Sequence, residues 1–410
     1  MKPQAFLLLL CLWVGSVQAH DNESAHRYRR SSLYSVLLKH PEKEFCREIT
    51  EVFYSIPIPE KFDNHDLKIK VINATPGRKD RPKELMQQDN VHKFISSNAI
   101  GRRLVAEWFD RDSKSGAFSM DLVAQRGYYD ATMFDIALAN QLFRGHALLA
   151  DAGQELIGNT FVLVNDIRYV DKEEAAAMAS FVFALVGTVA GGFESNAAQL
   201  VSGVSKIGEG ISDEIVGFSV NITSYLYRLD WTDDIANAFY SDYYMDSQAI
   251  DPAKKTAFDR EKNLFTMTFM GAQTVHSGKT SLRGVSTRED MIKKVCTRAI
   301  DEAIVQLQRK HDEFKVKTPL LSAAPLTASI GRKEGVAEDS KLEVLEYVQD
   351  AKGRTQYKRV GVIAPVKGKI WDNRYLSVAE RSVGSELTVT EFKKISGGNF
   401  EAGMLIREIK

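Results

Sequence analysis

Cysteine, proline and net charge are all in short supply in this chain. Its 410 residues include 3 Cys and 10 Pro, and 54 basic side chains face 54 acidic ones. One cysteine, Cys11, lies in an N-terminal apolar run, which leaves Cys46 and Cys296. Two isolated cysteines exclude a disulfide framework. They either pair once, closing a long loop worth about 2–5 kcal/mol in chain-entropy terms, or remain buried free thiols. Scarce proline and 44% apolar residues let the chain build regular elements around sizeable cores. The balanced charge argues against a nucleic-acid partner, which demands a basic face.

Catalytic signatures are also missing. There is no H-E-x-x-H, G-x-S-x-G or S-x-x-K, and the eight histidines show no ligand spacing. His276-Ser277-Gly278-Lys279-Thr280 ends like a phosphate loop, but Gln273 stands where the first glycine belongs. This segment reads as an exposed turn after a strand over Leu264–Gln273. Asp63, His65 and Asp66 read as a polar turn ahead of a strand. Asp230, Asp233, Asp234, Asp242 and Asp246, interleaved with Tyr240, Tyr243 and Tyr244, lack calcium-loop spacing and read as helix capping by Thr232 and Asp233 beside a solvated face. Cys46 as a nucleophile needs a partnered histidine, and His40 and His65 are its neighbours in sequence. No catalytic residue, metal or cofactor is expected.

What is present starts with an address. Lys2 precedes the apolar run Ala5–Val14, and Ser16-Val17-Gln18-Ala19 has the spacing that a signal peptidase reads. Residues 1–19 are therefore expected to be a signal peptide, with His20 opening the mature chain. Cys11 follows Leu10 inside the apolar run, which is no lipobox. The expected location is the periplasm or outer membrane, or outside the cell.

Periodicity predicts short helices over Ser32–Lys39 and Pro41–Tyr54, a strand over Asp66–Ile72 and a long helix over Val91–Phe109. It continues with a strand through Phe118, Met120 and Leu122, and a helix over Ala131–Leu149. Strands over Ile157–Val170 and Phe218–Trp231 and a helix over Asp233–Tyr244 come next. Ser286-Thr287-Arg288-Glu289 forms a capping box for a helix carrying Ile292, Val295, Ala299, Ala303 and Leu307. A short strand over Phe314–Thr318 closes this part. After a linker at Leu321–Leu326, short strands recur over Leu342–Val348, Lys358–Ile363, Leu387–Phe392 and Met404–Glu408.

The fold expected is thus α+β or α/β: a mixed sheet packed with helices over 20–320, followed by a small β-barrel or sandwich over 321–410. Residues 171–217 are an insertion. Ala175–Phe193 carries no charge, and Leu200, Val204, Ile207, Ile211 and Ile215 recur at helical spacing, so an αα-hairpin is expected. Phe181, Phe183, Leu185, Gly187, Gly191 and Phe193 are its candidate contacts, made either with a second subunit or with a membrane.

The strand LKIKVI, the helix ending LVAEWF, FSMDLVAQRG, the strands FVLVNDIRYV and FSVNITSYLYRLDW, and the late helix IKKVCTRAIDEAIVQLQ follow one another in an order that resembles the periplasmic α/β modules of the curli secretion-channel family and the TolB N-terminal domain. The segments IGRKEGV, KLEVLEYV, RVGVIAPV and GMLIRE resemble the small β-module ending flagellar-assembly and related envelope proteins. The lipidated cysteine of the curli channel has no counterpart here, and the insertion reads helical where the channel's hairpins are β. The resemblance implies a non-enzymatic bacterial envelope protein that assembles with itself or with other envelope proteins. A membrane-associated protein using 175–193, or a secreted hydrolase with a dispersed site, are the alternatives.

Overall fold

The computed structural model describes residues 31–59, 61–76, 83–129, 156–170, 215–282, 287–349, 355–374 and 387–409. Five strands form the first sheet: β1 (Ser32–Lys39), β2 (Val71–Asn73), β3 (Thr160–Tyr169), β4 (Ile215–Leu229) and β5 (Met267–Leu282), in the order β2-β1-β3-β4-β5. The pairings β1–β2 and β1–β3 are parallel, whereas β3–β4 and β4–β5 are antiparallel. The mixed sheet expected from the sequence is therefore present.

Helices cover both faces. Alternation along β1 sends Leu33 and Leu37 into one apolar cluster and Tyr34, Val36 and Leu38 into the other. The first cluster is closed by α1 (Cys46–Ser55), which contributes Ile49, Val52 and Phe53. The second is closed by α2 (Lys83–Ser97) and α3 (Ile100–Trp108), with Val91, Leu104, Val105 and Trp108. Predicting a helix over Ser32–Lys39 was incorrect. A strand buried on both faces is apolar at nearly every position, so its period of two does not show in the sequence.

Other boundaries also move. The single helix predicted over Val91–Phe109 is broken by Ala99, whose φ of 46° is left-handed and ends the α-helical run. Next to the break, a Cβ at Gly101 would lie 2.4 Å from the Phe265 carbonyl oxygen, so only glycine permits α3 to approach that loop. Phe118 and Met120 are not in a strand. Phe118 is fixed by Phe239 and Phe258 at edge-on ring distances of 5.1 Å, and α4 (Asp121–Tyr129) follows directly. Beyond β4 come α5 (Asp233–Ala238), a π-turn over Phe239–Tyr243, and α6 (Pro252–Arg260).

The longest helix among the described residues, α7 (Arg288–Lys310), lays Ile292, Val295, Cys296, Ala299, Ile304 and Leu307 on the first cluster. Its cap is Thr287, whose Oγ1 accepts from the Asp290 amide at 3.0 Å, one residue later than predicted. A short 3₁₀ turn, Asp312–Phe314, stands in place of the strand predicted from Phe314.

The C-terminal part is a closed barrel. Its strands are β6 (Thr318–Ala323), β7 (Leu326–Ala328), β8 (Leu342–Gln349), β9 (Thr355–Pro365), β10 (Thr390–Gly397) and β11 (Leu405–Glu408), ordered β10-β7-β6-β11-β8-β9. Leu320, Val344, Ile363, Phe392 and Ile406 fill its interior. Leu321–Leu326, expected as a linker, belongs to the β6–β7 hairpin. Leu320 faces the barrel core, and the run that looked like a spacer is the first barrel corner.

Among the described residues no helix is long and apolar enough to cross a membrane. The helix expected over Ala131–Leu149 lies outside the described residues. So do Phe181, Phe183, Leu185, Gly187, Gly191 and Phe193, with most of the insertion.

Candidate functional site

Three places in the α/β domain gather chemistry or an open surface: the two ends of the parallel strands, and the sheet edge formed by β5. At the C-terminal end of the parallel strands, His40 follows β1 and its Nε2 lies 2.6 Å from Oδ1 of Asp166 on β3, both residues buried. Arg168 Nε is 3.6 Å from the same oxygen, and Glu42 Oε1 is 3.4 Å from His40 Nδ1. Cys46 opens α1 beside the same small pocket. Both imidazole nitrogens of His40 face carboxylates, so the ring does not address the Cys46 sulfur. The Cys46–His40 nucleophile considered from sequence is not assembled.

At the N-terminal end, Ser32 of β1, Thr160 of β3, Trp108, Arg126 of α4 and His65 form one buried polar network. Arg126 donates to the Ser32 hydroxyl at 3.3 Å, and that hydroxyl lies 3.1 Å from His65 Nε2. Arg126 also pairs with Asp63 and stacks on Trp108 at 4.9 Å, while Trp108 Nε1 donates to Thr160 Oγ1 at 2.8 Å. Burial, and then the Arg126 charge, push the His65 pKa down to about 3. The ring is therefore neutral and can accept a hydrogen bond from the serine hydroxyl. Ser32 is 1% exposed, so its hydroxyl meets no substrate. The expected polar turn at Asp63, His65 and Asp66 does run there, but its central residue is a core element.

Cys46 and Cys296 are unjoined in this structure; Cys46 is half-buried and Cys296 fully buried. Burial raises the Cys296 thiol to about 12. In the acidic and aromatic stretch, Thr232 Oγ1 caps α5 by accepting from the Ile235 amide at 3.4 Å. Asp230 accepts from the Thr266 and Thr268 hydroxyls at 2.7 and 2.6 Å. Asp246 caps a turn through the Gln248 and Ala249 amides. These carboxylates are occupied locally. Among the described residues no group of three potential metal ligands comes together.

The third place is the edge. β3 pairs with β4 as far as Val220, and the Val170 amide reaches the Ser219 carbonyl at 3.0 Å. The β4–β5 pairing continues to Ile215 and Leu282. A two-stranded ribbon therefore runs past the sheet toward the 171–214 connection. Among the described residues β5 has a partner on one side only. Its sixteen residues, MTFMGAQTVHSGKTSL, contain no proline, no acid and one lysine. Ala272 and Thr274 are exposed on one face, and Val275 packs on the α7 side.

The sequence reading ended this strand at Gln273 and placed a turn at His276–Thr280. That was incorrect: those residues are the far half of β5. The β-branched Thr274 and Val275 were the available signal, and Gly278 beside Lys279 hid it. A scan against protein-family models finds no match for this chain, and neither does a search of curated proteins.

Proposed function

We propose that this is an exported, non-enzymatic cell-envelope protein that assembles with further copies of itself through the β5 edge. The observation carrying the proposal is the length and composition of that edge. An edge strand presents a row of unpaired backbone donors and acceptors, and monomeric proteins blunt such rows with charge, proline or a short strand. At the opposite edge β2 is three residues long; β5 is sixteen and carries a single charged side chain. A bulge at Met270, between the pairings Leu226–Gly271 and Tyr227–Phe269, interrupts the edge only near its start. The N-terminal export pattern supports the location, and the α/β module followed by a barrel supports the likeness to envelope-assembly proteins.

A second reading rests on the ribbon. β3 and β4 flank residues 171–214, so the apolar run Ala175–Phe193 belongs to the connection at the sheet's protruding end. That favours the run as a contact element, for a membrane or for a neighbouring subunit.

Sedimentation velocity tests the main reading. The mature chain is expected to sediment as an oligomer, and the Ala272→Lys/Thr274→Lys double variant as a monomer, because two added charges oppose edge-to-edge pairing. A monomeric wild type at all concentrations would remove the proposal.

A further inference from the structure

Where the two domains meet, they leave a small open cleft. The domains are held by Arg309 of α7, which donates to the Gly335 carbonyl and to Glu408, each at 3.3 Å. The approach is close: a Cβ at Gly335, where φ is +85°, would lie 2.6 Å from Val305. Apolar walls come from Val316, Ile330, Val336, Leu342 and Ile406.

Nearly all the charged groups lining this cleft are already committed. Lys315 pairs with Asp312 at 3.0 Å and donates to the Glu408 carbonyl at 3.3 Å. Arg407 pairs with Glu343 at 2.6 Å. Glu408 takes Arg309, and Glu334 accepts from the Gly331 amide at 2.8 Å and from Asn373 at 2.7 Å. Lys61 is different. Its Nζ donates once, to the neutral Oε1 of Gln308 at 3.2 Å, and no carboxylate lies within ion-pair distance among the described residues. An ammonium has three N–H donors, so this half-buried cation has two left for a ligand in the cleft. Burial does push its pKa down, while the charges of Glu334 and Asp301 oppose that fall.

We propose that the cleft binds a small monocarboxylate with an apolar chain, its carboxylate on Lys61 Nζ and its chain against Val316, Ile330 and Val336. Such a ligand touches both domains, and its two ends match the cleft's one uncommitted charge and its apolar walls. It satisfies the two idle donors of Lys61 through charge-assisted hydrogen bonds.

Octanoate is the probe, titrated calorimetrically into the full mature chain. Saturable binding is expected, at least about tenfold weaker in Lys61→Met, since one charge-assisted contact is lost. Octanol, with the same chain and no carboxylate, is expected to bind at least about tenfold more weakly than octanoate. Absence of octanoate binding, equal binding of octanol, or undiminished binding by a folded Lys61→Met would each overturn the proposal. A footprint on the wild type covers a variant that fails to fold. Octanoate should slow acetylation of Lys61 by acetic anhydride but not that of exposed Lys367, read by peptide mass spectrometry. Equal acetylation of Lys61 with and without octanoate would equally overturn it.

Discussion

The Ser32 hydroxyl lies 3.1 Å from Nε2 of His65, and both side chains are sealed beneath Trp108 and Arg126. A serine beside a histidine suggests nucleophilic chemistry. Here the hydroxyl is out of reach of solvent, and the pair fixes the loop before β2 to the start of β1.

This placement makes the fold acid-sensitive. His65 titrates near its ordinary value of 6.5 when unfolded and near 3 when folded. Between those values the unfolded chain binds one more proton, so stability falls as pH drops below 6.5. The slope approaches about 1.4 kcal/mol per pH unit. Urea denaturation at pH 7.5 and pH 5 should show the loss, and His65→Gln should shrink it. An unchanged slope in that variant would assign the loss to other groups.

Asp301 acts in the opposite direction. Burial raises its carboxyl to about 6, against the pull of Lys333 and Lys61. The folded chain binds the extra proton between about pH 4 and 6, so stability falls as pH rises through that window and the full loss is present above pH 6. Asp301→Asn is expected to melt higher than wild type at pH 8, with the difference vanishing near pH 4. Calorimetry at the two pH values checks it.

Thiol reactivity should separate the cysteines. Cys46 is half-buried, whereas Cys296 is fully buried with its thiol raised to about 12. Iodoacetamide at pH 8 is expected to modify Cys46 in the native protein and Cys296 only after denaturation. Equal native labelling would contradict the packing of α7.

Trp108 is the centre of the N-terminal network and is fully buried. Trp108→Phe removes the donor to Thr160 and the larger ring under Arg126. We expect a loss of about 2–4 kcal/mol, from a smaller core side chain plus an unsatisfied hydroxyl. Chemical denaturation at neutral pH measures it.

The sequence disclosed the elements whose pattern was set locally. The β-branched run of β3 and the 3.6-residue stripe of α7 needed no tertiary information. β1 was read as helix because burial on both faces erased its alternation. Predicting one helix in place of α2 and α3 missed a break made by the backbone of Ala99, a residue with no turn signature. The candidate sites were less visible. Lys61 and Gln308 are 247 residues apart, and His40 and Asp166 are 126 apart. Only the parallel register of β1 on β3, which sets Leu38 against Asp166, carries His40 to its carboxylate. The far half of β5 was lost to Gly278 and Lys279, which imitated a turn.

The most direct measurement of assembly through the β5 edge is amide hydrogen exchange across a concentration series. If copies pair along this strand, amides within Met267–Leu282 gain protection as concentration rises, while those of β1 stay unchanged. If exchange along β5 is the same at every concentration, the edge is not the assembly surface and the account of this protein's function is wrong.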